Sequence, residues 1–170
     1  MISLDLKEKV NKFIEDHIDL IDENNFKEFY NILDDTENSG DLYYNVGVIT
    51  DILYEAGIDP LKDSIEVYPN MFVHSEKDHI EIPDTIRSLG TSAFYCAFNL
   101  ENFIIPRGVT KIPFECFEEC YNLDWIEVPD TVIHIDPDAF SYDHVFVMKC
   151  VQGSYADKWA DDHGLKVEYI

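Results

Sequence analysis

Four cysteines, six histidines and one dense run of acids are the residues of this chain whose chemistry goes beyond filling space. The cysteines stand at 96, 116, 120 and 150. Cys116 and Cys120, with three residues between them, are half of a zinc pattern. No second pair follows at a suitable spacing, so buried thiols are expected. The histidines (17, 74, 79, 134, 144 and 163) are scattered, and none sits in an H-E-x-x-H arrangement. His163, next to Gly164, reads as a favourable charge near a helix C-terminus. The run Asp35-Thr-Glu37-Asn-Ser39-Gly40-Asp41 opens like a calcium loop, with glycine in the sixth place. Its twelfth place is Val46, where a bidentate Glu is required, so it reads as a solvated loop. With 35 acids in 170 residues, a close carboxylate pair is weak evidence for acid–base work. No metal or other cofactor is expected, and no catalysis. The alternative is an enzyme of unknown reaction with a metal held in the acidic N-terminal part.

Charge narrows the classes further. Twelve Lys and Arg oppose 35 Asp and Glu, a formal net charge of -23. A direct nucleic-acid binder needs a basic footprint, and docking on an anionic membrane needs one as well. Both are excluded, and a basic protein partner fits. No apolar run reaches the ~20 residues of a membrane span. The opening MISLDLKEKV lacks the layout of a secretory leader, so a cytoplasmic location is expected. The acids are spread evenly: residues 1–75 hold 17 against 5 bases, and residues 76–170 hold 18 against 7.

The elements that must position these side chains repeat. Residues 80–102, 103–125 and 126–148 align without a gap at a step of 23. Pro83, Pro106 and Pro129 fall in phase, as do Phe94, Phe117 and Phe140. Ile82/Ile105/Val128, Ile86/Val109/Val132 and Leu89/Ile112/Ile135 form further apolar columns. One coil cannot close its own core, but stacked coils turn each column into a buried ridge. Ile80-Glu81-Ile82 and its equivalents alternate in and out as a half-buried strand does, then stop at a proline. The expected exposed column is Glu81, Ile104, Glu127.

The pattern I-x-I-P-x-x-V-x-x-I-x-x-x-A-F-x-x-C-x-x-L resembles the BspA-type leucine-rich repeat, over roughly residues 79–170. The stretch VQGSYADKWADDHGLKVEYI is similar to that family's terminal cap. Ser154 fits the N-cap with Asp157 in the capping-box place. Tyr155, Trp159 and Ala160 are expected to face the last coil, Gly164 to stop the helix, and Val167–Ile170 to close as a strand. Pro113 departs from the glycine expected by analogy with Gly90, and Asp143 stands where the preceding coil has Cys120. The resemblance implies a solenoid that recognises other proteins or mediates adhesion.

Residues 1–75 lack the repeat. Leu6, Val10, Phe13, Ile14, Ile18 and Ile21 follow helical spacing, and Phe26, Phe29, Tyr30 and Leu33 suggest a second helix. A third is expected from about Asp41 to Ala56, ended by Gly57 with Pro60 beyond. Residues 58–78 read as a connector, with Met71-Phe72 as a half-coil sealing the stack. The expected fold is α+β: an acidic helical unit over 1–75, then over 76–170 a solenoid of about three coils with a helix–strand cap.

Contact residues follow from exposure and charge. The acidic set is Asp34, Asp35, Glu37, Asp41, Glu81 and Glu127; the apolar anchors are Phe98, Ile104, Phe114 and Tyr121. The leading expectation is a non-catalytic protein-binding module. Its narrower form is a phage-type inhibitor of a basic nucleic-acid-handling host defence protein, an anti-CRISPR-like nucleic-acid mimic in the host cytoplasm. The alternative within the same family resemblance is a surface adhesin or scaffold.

Overall fold

The computed structural model describes residues 64–141 and 144–170, with Gly47, Thr50, Asp51, Leu53, Tyr54, Gly57 and residues 59–62. Its strands are very short, because each coil turns a corner after two to four extended residues. They are β1 (Glu66–Val67), β2 (Ser88–Leu89), β3 (Asn102–Ile104), β4 (Lys111–Ile112), β5 (Trp125–Val128), β6 (His134–Ile135) and β7 (Val147–Cys150). Helix α1 (Tyr155–Asp162) and β8 (Lys166–Tyr169) follow. Every pairing is parallel and joins one coil to the next: β3-β5-β7-β8 form one sheet, β1-β2 and β4-β6 two smaller ones. The stack has about five coils, two more than the 23-residue periodicity counted.

The additional N-terminal coil lies in the stretch whose sequence reads as a connector with a half-coil. Its Val67 and Phe72 sit only 22 residues before their equivalents Leu89 and Phe94, so the step breaks there. Ile80-Glu81-Ile82 keeps its buried-exposed alternation but forms no strand. The rung is begun by Glu101 N donating to Asp78 O at 3.1 Å and goes no further, which leaves β3 as the sheet edge.

The core is a spine of rings. Phe72, Phe94, Phe117 and Phe140 stack in order at centroid distances of 5.2, 4.9 and 5.4 Å, within 10° of parallel. Phe103 meets both Phe94 and Phe117 edge-on, at 4.7 and 5.1 Å. Ile86/Val109/Val132 and Leu89/Ile112/Ile135 are buried alongside. Each such side chain withdrawn from water contributes about 1.5–3 kcal/mol.

Between the sheets the chain runs through a turn held by two interleaved bond sets. Phe72 N, Phe94 N and Phe117 N reach across to the next coil's Ala93, Cys116 and Ala139 carbonyls at 2.7–3.0 Å. Val73, Tyr95 and Glu118 instead bond back three residues within their own coil. The alternation demands left-handed residues, and it takes them without glycine: Asn70, Ser92 and Glu115 at one place, His74, Cys96 and Glu119 four residues on.

Both ends of the spine are covered. Gly47, Thr50, Asp51, Leu53 and Tyr54 are helical, in the region expected for the third helix, and Gly57 (φ +76°) stops it, its N–H bonded to Tyr54 O. Tyr54 lies 6.3 Å from Phe72, and a Cβ on Gly47 would come within 2.6 Å of Val73 O. The first two expected helices lie outside the described residues. At the far end Trp159 meets Phe140 at 5.5 Å. Ser154 accepts from Asp157 N, as expected of the N-cap, but Asp157 Oδ2 accepts from Gly153 N, one residue before the cap, because Ser154 N is bonded to Val151 O. Gly164 (φ +67°) ends the helix, with Leu165 N reaching back to Ala160 O. Tyr155 is not on the buried face: Ala156, Trp159 and Ala160 are, while Tyr155 stands 39% exposed beside His134. Adjacent helix positions point about 100° apart, so position 156 takes the inward place. The closing strand is Lys166–Tyr169, one residue earlier than expected.

Candidate protein-binding surface

The register of the four-stranded sheet sorts its side chains into rows. Phe103, Ile126, Met148 and Val167 point inward. Ile104, Glu127, Lys149 and Glu168 align on the outer face, with Asn102, Trp125, Val147 and Lys166 beside them. Ile104 is half exposed and directly flanks Glu127, as the exposed column required. Glu81 is exposed but lies off the sheet, 3.6 Å from His79. Lys149 and Trp125 are an addition that spacing alone does not reveal. Lys149 Nζ rests 3.6 Å from the Trp125 ring centroid, a cation–π contact that needs the cross-coil register to be seen.

The corner between the turn and this sheet carries rings. Phe98 and Tyr121 occupy equivalent places and are 43% and 49% exposed. His144 holds the same place in the next coil, 6.4 Å from Tyr121, and His74 meets Phe98 at 5.9 Å. Because His144 donates its Nε2–H to Leu123 O at 2.8 Å, its ring is held in place. Phe114 is exposed too, but at the opposite end of the turn, where Ser92 N donates to Phe114 O. The apolar anchors therefore fall in three places: Phe98 with Tyr121, Phe114 apart, and Ile104 on the sheet.

Acids line the turn beside the rings. Ser92 Oγ donates to Glu115 Oε2 at 3.1 Å, Tyr95 OH to Glu119 Oε1 at 3.4 Å, and Cys96 Sγ to Glu119 Oε2 at 3.1 Å. One coil's hydroxyls and thiol thus fix the next coil's carboxylates. Burial, then the Glu119 carboxylate, pushes the Cys96 thiol up to about 12. Burial holds Cys120 at about 12 too, and raises Cys116 and Cys150. All four thiols are free and buried, and a neutral thiol is a poor nucleophile and a poor ligand. Among the described residues no cluster of His, Cys, Asp and Glu is arranged to hold a metal ion. Asp34, Asp35, Glu37 and Asp41 lie outside them.

A shallow cleft of about 130 Å³ opens between the last coil and the cap, lined by Phe140, His144, Phe146, Trp159 and His163 among others. It falls short of the ~300 Å³ of a small-molecule site. His163 stacks on Trp159 at 3.8 Å and donates Nδ1–H to Trp159 O, so it closes the last helical turn.

Residues 58–146, just over half of the chain, match the model of the BspA type leucine-rich repeat region in six copies. The chain belongs to the BspA-type leucine-rich repeat family. The match begins upstream of the three clear repeats and takes in the coil of β1, in agreement with the pairing of Glu66–Val67 with Ser88–Leu89. No curated protein and no solved structure matches. No helix among the described residues is long and apolar enough to cross a membrane.

Proposed function

We propose that this BspA-type repeat chain is a non-catalytic protein-binding module. The observation that carries the reading is the exposed pair Phe98 and Tyr121, set one coil apart on a turn whose carboxylates are clamped, Glu119 two residues from Tyr121 and Glu115 at the far end beside Phe114. Aromatic anchors supply contact area at low entropy cost, and charges fixed in advance supply specificity and association rate. A stacked array holds both at constant spacing, since each coil contacts only its neighbours. Glu127 and Ile104 on the sheet, Glu81, Phe114, and the acids Asp34, Asp35, Glu37 and Asp41 extend the proposed contact set.

The net charge of -23 favours a basic partner. Its narrower form is a phage-type, anti-CRISPR-like inhibitor that occupies the nucleic-acid groove of a host defence protein in the bacterial cytoplasm; its support is the charge and the even spread of acids. A BspA-type surface adhesin or scaffold is the second reading, favoured by the family. A pull-down from bacterial lysate over a salt series separates them. Recovery of basic nucleic-acid enzymes that fades as salt screens the contact supports mimicry. Recovery indifferent to salt supports adhesion through the apolar anchors. Identical recovery by the wild-type chain and by the Phe98→Ala/Tyr121→Ala variant overturns the proposed surface.

A further inference from the structure

Strand β8 ends the four-stranded sheet, and among the described residues no strand pairs with its outer edge. Ile170 N donates to Cys150 O at 3.2 Å. Successive N–H groups of an extended strand point to opposite sides. Lys166 and Glu168 therefore turn their backbone groups towards β7, while Val167 and Tyr169 turn theirs outward.

The sequence of that edge, Leu165-Lys166-Val167-Glu168-Tyr169, is its own chemical complement when reversed. In an antiparallel pair of two such edges, a two-fold axis must pass through a residue whose backbone groups face outward, or the ladder bonds cannot form. Val167 is the central such residue. With the axis there, Val167 faces Val167 of the second copy and exchanges both hydrogen bonds with it. Tyr169 N–H then meets the carbonyl of Leu165, twice by symmetry. Lys166 falls opposite Glu168 in a non-hydrogen-bonded pair, where side chains approach closest, also twice. Both side chains are exposed on the outer face, and Leu165, Val167 and Tyr169 share the other. This one register matches charge with opposite charge, apolar with apolar, and donor with acceptor.

We propose that two copies of this chain join edge to edge through β8 in this register, making one continuous sheet of eight strands across a two-fold axis. The occupant of the edge is a second copy because the charge complementarity is internal to the segment. The two Lys–Glu contacts also give two strongly acidic molecules a local reason to meet.

Sedimentation of the full chain over a concentration series tests this. The mass is expected to rise from 19.8 kDa towards twice that value. Lys166→Glu alone, or Glu168→Lys alone, turns both attractive pairs into repulsive ones and is expected to weaken the dimer by about tenfold or more. Lys166→Glu with Glu168→Lys in one chain restores the pairs in exchanged order, and with them the association. Val167→Pro removes the outward N–H, which an edge strand tolerates, and alters the side chain packed on the core; it is expected to be monomeric where Val167→Ala, which trims the same side chain but keeps the N–H, still dimerises. A monomer throughout the series overturns the proposal. So does a dimer insensitive to the single reversals, a double exchange that fails to restore it, or equal dimerisation by the proline and alanine variants.

Discussion

Phe117 sits at the middle of the ring spine, and its truncation measures how the coils hold together. The side chain is 1% exposed, stacks on Phe94 and Phe140, and takes the edge of Phe103. Phe→Ala in a packed core costs about 3–5 kcal/mol. Three ring contacts, each worth about 0.5–1.5 kcal/mol beyond buried area, place this site in the upper half of that range. About 4 kcal/mol corresponds to a fall in Tm of about 8–16 °C for a chain of this size. The assay is guanidinium unfolding followed by far-UV circular dichroism, read as midpoint at constant slope. Coupling gives the sharper readout. Phe117→Ala and Phe140→Ala remove rings in contact, and the pair is expected to depart from additivity by at least ~0.5 kcal/mol. Phe72 and Phe140 have two rings between them, and Phe72→Ala and Phe140→Ala are expected to add. A cost for Phe117→Ala below about 1.5 kcal/mol, or equal coupling for the distant and the adjacent pair, refutes the nearest-neighbour spine.

Other outcomes follow from single contacts. Gly90→Ala puts a Cβ into the backbone at Pro69, where nothing flexible can move aside, and the loss of thermal stability is expected to exceed that of a surface Gly→Ala change. Ser154→Ala removes the acceptor for Asp157 N and is expected to cost ~1 kcal/mol, seen as a lower denaturant midpoint. The thiols are expected to react with Ellman's reagent only on unfolding, at pH 8. Because Cys96 and Cys120 rise from 9.0 to about 12 on folding, their contribution is full below pH 9 and is lost as pH climbs towards 12. Denaturant midpoints at pH 8 and pH 10.5 check the sign.

The parts legible in the sequence are those where packing fixes residue type at a constant step. Phe94, Phe117 and Phe140 could be read directly, because each buried slot admits only a large apolar ring. The Ser154–Asp157 cap was equally legible, since it depends on contacts three residues apart. The first coil was hidden by its 22-residue step, and Pro60 lies 23 residues before Pro83 yet read as a helix stop. The turn left no glycine signal, because Ser92, Cys96, Glu115 and Glu119 take left-handed conformations enforced by the cross-coil bonds. Of the candidate surface, Phe98, Ile104, Phe114 and Tyr121 could be picked out by their repeat positions, but the sequence alone reads equally as packing against the next coil; the structure leaves all four exposed. The Lys149–Trp125 contact and the hold of Cys96 on Glu119 join residues 23 to 24 apart and depend on how coils sit on one another.

The in-phase spine also makes length an adjustable quantity. Excising residues 103–125 joins Asn102 to Ile126, brings Phe94 under Phe140, and leaves the terminal coverings untouched. The shortened molecule loses Tyr121 and the Glu115–Glu119 carboxylates but keeps every remaining column in line. Duplicating the same segment adds one more aromatic step and one more acidic step. The reach of the proposed contact surface is thus counted in whole coils, and gain or loss of 69 nucleotides in frame is expected to change it while keeping the columns in line.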